Sequence, residues 1–179
     1  LIVPNGSDPD LFRPETPVVG RLSAFKDKFN IIWIGSGKET WHDLNLLRDS
    51  ASILQITKPG DFYFHILGPD LVGKMGEMPD NVFYWGPKYY NQLPGWLSGM
   101  DVGLSVYKPG PADVATPLKV FDYLASGLPV ISTPTHFVVE LNHRLGCSEL
   151  NIPYGDPTAL AEILLHLARD RERVKKLGL

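Results

Sequence analysis

Short, continuous hydrophobic runs recur along the chain. Between them lie turn residues and segments whose apolar residues recur at the spacing of one helix face. Such runs are typical of strands that are buried on both faces of a sheet. The first three runs end at Gly35, Gly68 and Gly86, residues that favour a turn. Five runs predict strands in this way: Asn30–Ile34, Asp61–Leu67, Asn81–Trp85, Asp101–Val106 and Leu128–Ser132.

Helical patterns lie between and after these runs. The clearest covers Pro157–Arg169, because Asp156 can cap it and apolar residues recur in it at a helical spacing. The alternation of strands and helices predicts an α/β fold of the Rossmann-like, doubly wound class, with helices on both faces of a parallel sheet. Ligands of such sheets bind beyond the carboxyl ends of the strands. The other predicted helices are His42–Leu54, Leu93–Ser98, Thr116–Ser126 and His136–Leu145.

Composition narrows the class of protein. A chain of 179 residues with 44% hydrophobic and 21% charged residues predicts one globular domain, residues 1–179. The net charge of -3 gives no general attraction to nucleic acid. The single cysteine, Cys147, excludes an internal disulfide and favours a reducing compartment, and a buried thiol is favoured there over a catalytic one. No apolar run reaches the ~18 residues of a membrane-spanning helix, and the histidine spacing predicts no metal site.

The chain begins without an initiating methionine or a signal sequence. Leu1-Ile2-Val3 predicts a strand that runs directly into the turn residues Pro4-Asn5-Gly6. This pattern is typical of a chain divided at a linker. We therefore expect the sequence to be a fragment of a longer protein.

The glycine-rich loop after the first predicted strand, Gly35–Thr40, fits neither common nucleotide-binding motif. A P-loop requires glycine where Ile32 stands and serine or threonine where Glu39 stands. The dinucleotide fingerprint requires a third small residue where Thr40 stands. Two interpretations remain open: the loop contacts a phosphate through backbone N–H groups and Lys38, or it is a plain tight turn.

The longest irregular stretch, Tyr107–Pro117, leads into a helix start that suits an anion. Thr116 can cap the helix and Pro117 can occupy its first position. Free N–H groups and the helix dipole favour a diphosphate there. Lys119 stands in the first turn, where the dipole disfavours a cation, and this placement makes sense beside a bound anion. Asp122, one turn further, can accept both hydroxyls of a ribose, face solvent or pair with a lysine.

Seven landmarks occur in the order found in GT4-like, group 1 glycosyltransferases of the GT-B fold. The longest is Pro117–Ile131 (PLKVFDYLASGLPVI), which resembles the family pattern PlKvfEYlA.GlPVi. Together the landmarks cover the whole chain, which resembles the C-terminal, donor-binding domain of these enzymes. The others are Val3-Pro4-Asn5-Gly6 with Asp8 and Phe12-Arg13-Pro14, Ile34-Gly35-Ser36, Leu67-Gly68-Pro69, Asn81-Val82 with Trp85-Gly86, Leu93-Pro94 with Asp101–Leu104, and Asp156-Pro157 with Leu160.

The resemblance implies where a nucleoside diphosphate sugar contacts the chain. Asp122 stands where the family's glutamate holds the donor ribose, although aspartate shortens its reach by one methylene. A second departure is Val114, which replaces the carboxylate expected eight residues before Asp122, and whether the neighbouring Asp113 substitutes for it is left open. The implied donor-binding residues are Ser36, Lys38, Gly86, Pro87, Ala115, Thr116, Pro117, Leu118, Lys119 and Asp122.

The resemblance also implies a function. A UDP- or GDP-sugar would donate its sugar, with retention, to a glycan, lipid or other acceptor, in a cytoplasmic enzyme that needs no metal or other cofactor. An N-terminal acceptor domain outside these residues would complete the enzyme and associate it with the inner face of a membrane. We therefore predict no catalytic residue in residues 1–179 and no activity of this part alone. Two alternatives are a non-catalytic nucleotide-sensing or scaffold domain, favoured by Val114, and a GT-B nucleotide-sugar epimerase, disfavoured by Pro117-Leu118-Lys119.

Overall fold

The computed structural model describes residues 5–178, so the strand predicted at Leu1–Val3 and the first two residues of the landmark Val3–Gly6 lie outside the described residues. Five parallel strands form one sheet in the order β3-β2-β1-β4-β5. All five strands predicted within the described residues are confirmed, the last four being shorter than predicted. The strands are β1 (Phe29–Ile34), β2 (Phe62–Leu67), β3 (Val82–Tyr84), β4 (Val102–Ser105) and β5 (Val130–Ser132).

Six α-helices accompany the sheet within residues 5–178, and the α/β, doubly wound class is confirmed. Short 3-10 helices lie between or before these elements, among them Gly20–Phe25, Tyr90–Gln92 and Pro111–Val114. The α-helices are α1 (Leu44–Thr57), α2 (Leu93–Leu97), α3 (Leu118–Ala125), α4 (His136–Arg144), α5 (Pro157–Ala168) and α6 (Arg171–Gly178).

Side chains of the central strand alternate between two hydrophobic cores on opposite faces of the sheet. On β1, Ile31 and Trp33 belong to the core that contains residues of α1 and α5, whereas Ile32 belongs to the core that contains Val120 of α3. This alternation follows from the two-residue period of a strand. Because both faces of the sheet are covered, the strands read as continuous hydrophobic runs.

Helix starts follow from capping side chains. Helix α1 begins at Leu44 and not at the predicted His42, because the Asp43 carboxylate accepts the N–H of Leu46 at 3.1 Å and caps the helix. His42 instead forms an isolated β-bridge with Tyr107. At the start of α5 the predicted cap is confirmed, since Asp156 accepts a backbone N–H at 2.9 Å.

Tyr123 anchors α3 to the two central strands. Its side chain is fully buried, and its hydroxyl accepts the N–H of Ile34, the last residue of β1, at 2.9 Å. Its ring lies so close to Gly103 of β4 that a β-carbon there would lie 2.4 Å from a ring carbon. The glycine in the middle of β4 therefore makes room for the tyrosine, and the pair holds α3 against the carboxyl end of β1.

Candidate functional site

Three glycine loops at the carboxyl edge of the sheet are joined by backbone hydrogen bonds. The N–H of Gly35 donates to the carbonyl of Leu67 at 3.0 Å, and the N–H of Gly68 donates to the carbonyl of Gly86 at 3.2 Å. A β-carbon on Gly68 would lie 1.6 Å from the carbonyl oxygen of Gly35. The loops that follow β1, β2 and β3 therefore form one continuous surface at the carboxyl edge of the sheet.

The loop after β1 presents Ser36 and Lys38 beside the loop after β2. Between them Gly37 packs on Asp70, where a β-carbon would lie 1.8 Å from the carbonyl oxygen of Asp70. The N–H of Lys38 donates to Ser36 Oγ at 3.1 Å, and Lys38 Nζ lies 3.7 Å from Asp70 Oδ2 with 76% of the lysine side chain exposed. An ion pair this exposed contributes little to stability, so the ammonium is free to turn toward an anion. Contact of either residue with a ligand stays a prediction.

The start of α3 offers two unpaired backbone donors. Pro117 occupies the N-cap position and Leu118 is the first helical residue. The N–H groups of Leu118 and Lys119 donate no hydrogen bond within residues 5–178. Free N–H groups at the positive end of a helix dipole suit an anion.

The predicted cap of α3 by Thr116 is wrong. Because Pro117 keeps an extended backbone (φ -68°, ψ 122°), the helix starts one residue later and Thr116 lies before the N-cap. The carbonyl of Thr116 instead accepts a hydrogen bond from Asn5 Nδ2 at 3.3 Å. No side chain that the structure describes therefore accepts a hydrogen bond from the N–H groups of Leu118 and Lys119.

The ammonium of Lys119 is buried beneath the start of α3. Its Nζ lies 4.7 Å from the ring centre of Trp33 and 5.2 Å from that of Tyr107, and it donates no hydrogen bond to the described part of the chain. Aromatic faces attract a cation, but burial opposes the charge and lowers the pKa of Lys119 to about 7. Lys119 lies in the first turn, as predicted, with its ammonium turned toward the sheet. Its contact with a ligand stays a prediction.

His42 packs on Trp33, the ring that the Lys119 ammonium also contacts, and bonds to the glycine loop, a role that sequence analysis did not assign. Burial first, and then repulsion by Lys119, lowers the pKa of His42 to about 4. The ring is therefore neutral at pH 7, and its Nδ1–H donates to the carbonyl of Ser36 at 3.0 Å. A neutral histidine leaves the Lys119 ammonium without a competing charge from this side.

Asp122 is 7% exposed, and one of its oxygens is occupied. Oδ1 accepts the hydroxyl of Ser7 at 2.7 Å and that of Tyr90 at 3.1 Å, whereas Oδ2 accepts no hydrogen bond within residues 5–178. Burial raises the pKa of Asp122, and the two hydrogen bonds oppose that rise. A solvent-facing Asp122 is thereby excluded, and the contact with a ribose stays a prediction.

The remaining predicted residues lie at the same edge. Gly86, with φ +72°, and Pro87 follow β3, and the positive φ explains the glycine. Ala115 follows the 3-10 helix Pro111–Val114, and its N–H donates to the carbonyl of Ala112 at 3.0 Å. All ten predicted residues thus follow the carboxyl ends of β1, β3 or β4, although no ligand contact has been shown for any of them.

Asp113 is held within the loop that precedes α3. Its Oδ1 accepts the hydroxyl of Tyr154 at 2.5 Å, and its Oδ2 accepts the N–H of Gly110 at 3.3 Å. Burial, together with the bond to Asp113, raises the pKa of Tyr154 to about 12. The adjacent Val114 is 77% exposed. Both carboxylate oxygens of Asp113 are thus engaged within the chain, and the position of the expected carboxylate carries an exposed valine.

No group of three or more His, Cys, Asp or Glu side chains among residues 5–178 is arranged to hold a metal ion. None of the helices described above combines the length and the apolar character that crossing a membrane requires.

Comparison with known proteins identifies relatives by sequence. Residues 28–170 match the family of glycosyl transferases group 1. A stretch of 98 residues is 32% identical to TuaH of Bacillus subtilis (strain 168), a putative teichuronic acid biosynthesis glycosyltransferase. The match covers 51% of this chain and 23% of TuaH, so the chain spans only a part of that relative.

Solved glycosyltransferase structures share the fold. WaaG, a glycosyltransferase involved in lipopolysaccharide biosynthesis, matches with a TM-score of 0.72 at 14% identity, over 99% of this chain and 50% of WaaG. The C-terminal domain of LpcC from Francisella tularensis, a group 1 family protein, gives 0.70 at 18% identity, over 97% of this chain and 93% of that domain. Anabaena Alr3699/HepE, in complex with UDP and glucose, gives 0.72 at 14% identity, over 97% of this chain and 48% of that protein. The fold is the Rossmann-like one of GT-B C-terminal domains.

Proposed function

This chain belongs to the group 1 glycosyltransferases, and on that premise we propose that residues 5–178 form the donor-binding domain of a retaining enzyme. The donor is a UDP- or GDP-sugar, and a second, N-terminal domain binds the glycan, lipid or other acceptor. The observation that carries the proposal is the start of α3, where two unpaired N–H groups and a buried ammonium lie at the carboxyl edge of a parallel sheet.

The proposed chemistry follows from charge at this helix start. When the bond between sugar and diphosphate breaks, negative charge develops on the departing phosphate. The N–H groups of Leu118 and Lys119, with the Lys119 ammonium behind them, are already oriented to stabilise that charge. Lys38 adds an exposed cation from the opposite loop. None of these groups requires a cofactor.

The same proposal assigns the nucleoside to the remaining predicted residues. Oδ2 of Asp122 accepts the ribose hydroxyls, and main-chain atoms at Gly86 and Pro87 contact the base. The complex of Alr3699/HepE with UDP and glucose, on a similar fold, supports a nucleotide sugar as the ligand class. The free, buried thiol of Cys147 is compatible with a reducing, cytoplasmic location, and peripheral association with a membrane belongs to the proposed second domain.

Calorimetry tests the proposal directly. UDP, GDP, UDP-glucose and GDP-mannose are titrated into the wild-type chain, Asp122→Ala and Lys119→Met. We expect one base to be preferred and both variants to bind it about tenfold more weakly or worse, a loss of at least about 1.4 kcal/mol each. Glu162→Ala, on the exposed face of α5, is the matched control and keeps the wild-type affinity. A folded wild-type chain that binds none of the four ligands would contradict the proposal.

A second candidate is a non-catalytic nucleotide-sensing domain of the same fold. The observation that favours it is the exposed Val114 at the position where the family carries a carboxylate. A sensor of this kind binds UDP or GDP without gaining affinity from the attached sugar. Equal affinity for nucleotide and nucleotide sugar, together with no sugar transfer by the full-length protein, would favour the sensor over the enzyme.

A further inference from the structure

Two side chains from distant parts of the chain meet at one oxygen atom of Asp122. Ser7 lies 115 residues before Asp122, and Tyr90 lies 32 residues before it. Both donate their hydroxyl hydrogen atoms to Oδ1. The Tyr90 ring also packs on Phe12, a residue that is 1% exposed, with 5.0 Å between ring centroids.

The segment that carries Ser7 is attached to α3 at a second point. Asn5 Nδ2 donates to the carbonyl of Thr116, just before the helix starts, and Ser7 reaches the carboxylate of Asp122 one turn inside it. Two contacts on either side of the first turn fix the segment relative to the helix. Ser7 is therefore placed by the fold and not by its own local sequence.

Hydrogen-bond capacity at Asp122 is divided unequally between the two oxygens. A carboxylate oxygen has about two acceptor positions, so Ser7 and Tyr90 together fill Oδ1. Oδ2 accepts nothing from residues 5–178 and keeps both positions. A carboxylate with one oxygen fixed in this way can no longer rotate freely, and the orientation of its second oxygen is determined by the two donors.

We propose that Ser7 and Tyr90 are positioning residues, which hold Oδ1 of Asp122 so that Oδ2 faces the ribose diol of the donor nucleotide. This inference rests on the function proposed above for Asp122. It goes beyond that function by assigning a role to Ser7 and Tyr90, which are not among the ten predicted donor-binding residues. Aspartate has one bond less than glutamate with which to adjust its carboxylate, and external positioning compensates for that difference.

The experiment removes the diol and the positioning hydroxyls separately. Dissociation constants of UDP and GDP, and of their 2′,3′-dideoxy forms, are measured for the wild-type chain, Ser7→Ala and Tyr90→Phe. Tyr90→Phe keeps the ring on Phe12 and loses only the hydroxyl. Tyr89→Phe is the matched control, because Tyr89 is the adjacent tyrosine and is 79% exposed.

The expected result is a loss of discrimination and not a general loss of binding. In the wild-type chain and in Tyr89→Phe, the preferred nucleotide binds at least about tenfold more tightly than its dideoxy form, or about 1.4 kcal/mol. In Ser7→Ala and Tyr90→Phe this ratio falls several-fold toward one. The affinity for the dideoxy nucleotide stays the same in all four proteins, which shows that the diphosphate site and the fold are intact.

Each other outcome overturns the proposal in a recognisable way. Equal weakening of both nucleotides by Ser7→Ala and Tyr90→Phe would assign these residues a structural role only. An unchanged ratio in both variants would remove them from diol recognition. If the wild-type chain binds a nucleotide and its dideoxy form equally, the proposed positioning of Asp122 for the diol is contradicted, whereas the proposed diphosphate binding is not. No binding of any nucleotide would overturn the proposed donor function as well.

Discussion

Lys119 carries an ionisable group where no described acceptor reaches it. An unpaired cation in the interior is unfavourable because it loses its hydration, and contact with the rings of Trp33 and Tyr107 compensates only in part. Groups with strongly shifted pKa values gather at functional sites more often than elsewhere. At the scale of single residues, Lys119 is therefore the clearest case of a group at the candidate site whose burial costs stability.

The substitution Lys119→Met is expected to stabilise the fold in a pH-dependent way. Because the pKa of Lys119 is about 7 in the folded chain and 10.5 ordinarily, the unfolded chain binds more protons between these values. Wild-type stability therefore rises with pH across that window. The advantage of Lys119→Met, on the order of 5 kcal/mol at pH values well below 7, shrinks as the pH approaches 10.5.

Urea unfolding at several pH values between 6 and about 9.5 measures this difference. Lys38→Met is the matched control, since the Lys38 side chain is 76% exposed and its charge is solvated. Because substitutions of exposed side chains change stability little, the free energy of unfolding of Lys38→Met should stay within about 0.5 kcal/mol of that of the wild-type chain. A stability advantage of Lys119→Met that is constant over this range would show that the Lys119 ammonium is not destabilised by burial.

At the scale of elements, the candidate site is made by loops that touch through their backbones. The glycine loop after β1 rests on the loop after β2, and α3 is anchored to the central strands by Tyr123. Glycine is required where two backbones approach, because a β-carbon has no room there. The distance between the glycine loop and the start of α3 is thereby determined by packed elements.

Gly37→Ala tests this arrangement. A β-carbon at Gly37 would lie 1.8 Å from a carbonyl oxygen of Asp70, so we expect a displaced loop and a loss of about 1–3 kcal/mol in the free energy of unfolding. Binding of UDP or GDP should weaken as well. Gly20→Ala is the control, because nothing lies within 4 Å of a β-carbon at Gly20, and we expect a change within about 0.5 kcal/mol. Equal stability of the two variants, measured by urea unfolding, would exclude the close approach of the two loops.

At the scale of the whole molecule, the chain is similar to only part of its relatives. It covers 50% of WaaG and 48% of Alr3699/HepE, and nearly all of the isolated LpcC C-terminal domain. The candidate site lies at the carboxyl edge of the parallel sheet. The partial coverage of these relatives favours the proposal that a second domain binds the acceptor.

We therefore expect residues 1–179 to bind a nucleotide sugar and to transfer none of its sugar. The measurement is release of UDP or GDP from the preferred nucleotide sugar, over hours, at a protein concentration that saturates binding. The full-length protein with its acceptor is the positive control. Release that depends on Asp122 and matches the rate of the full-length protein would show that this domain alone is the catalyst.

Local patterns in the sequence were sufficient for most of the architecture. The apolar runs predicted every described strand, because a strand that is buried on both faces of a sheet consists of consecutive hydrophobic residues. Asp156 and Pro157 predicted the start of α5, because a cap acts over three residues. The segment Pro117–Ile131 pointed to the family. The location of the candidate site at the carboxyl ends of the strands followed from the prediction of a parallel sheet.

Tertiary structure decided how the site residues are used. Only the folded chain brings Ser7 to Asp122, turns the Lys119 ammonium onto Trp33, and packs the ring of His42 on the same tryptophan. The contacts of Ser7 with Asp122 and of Lys119 with Trp33 join segments that are far apart in sequence, so no local period or cap records them. Burial and neighbouring groups then set the charge of each side chain, because desolvation depends on what surrounds a residue in space and not on its neighbours along the chain.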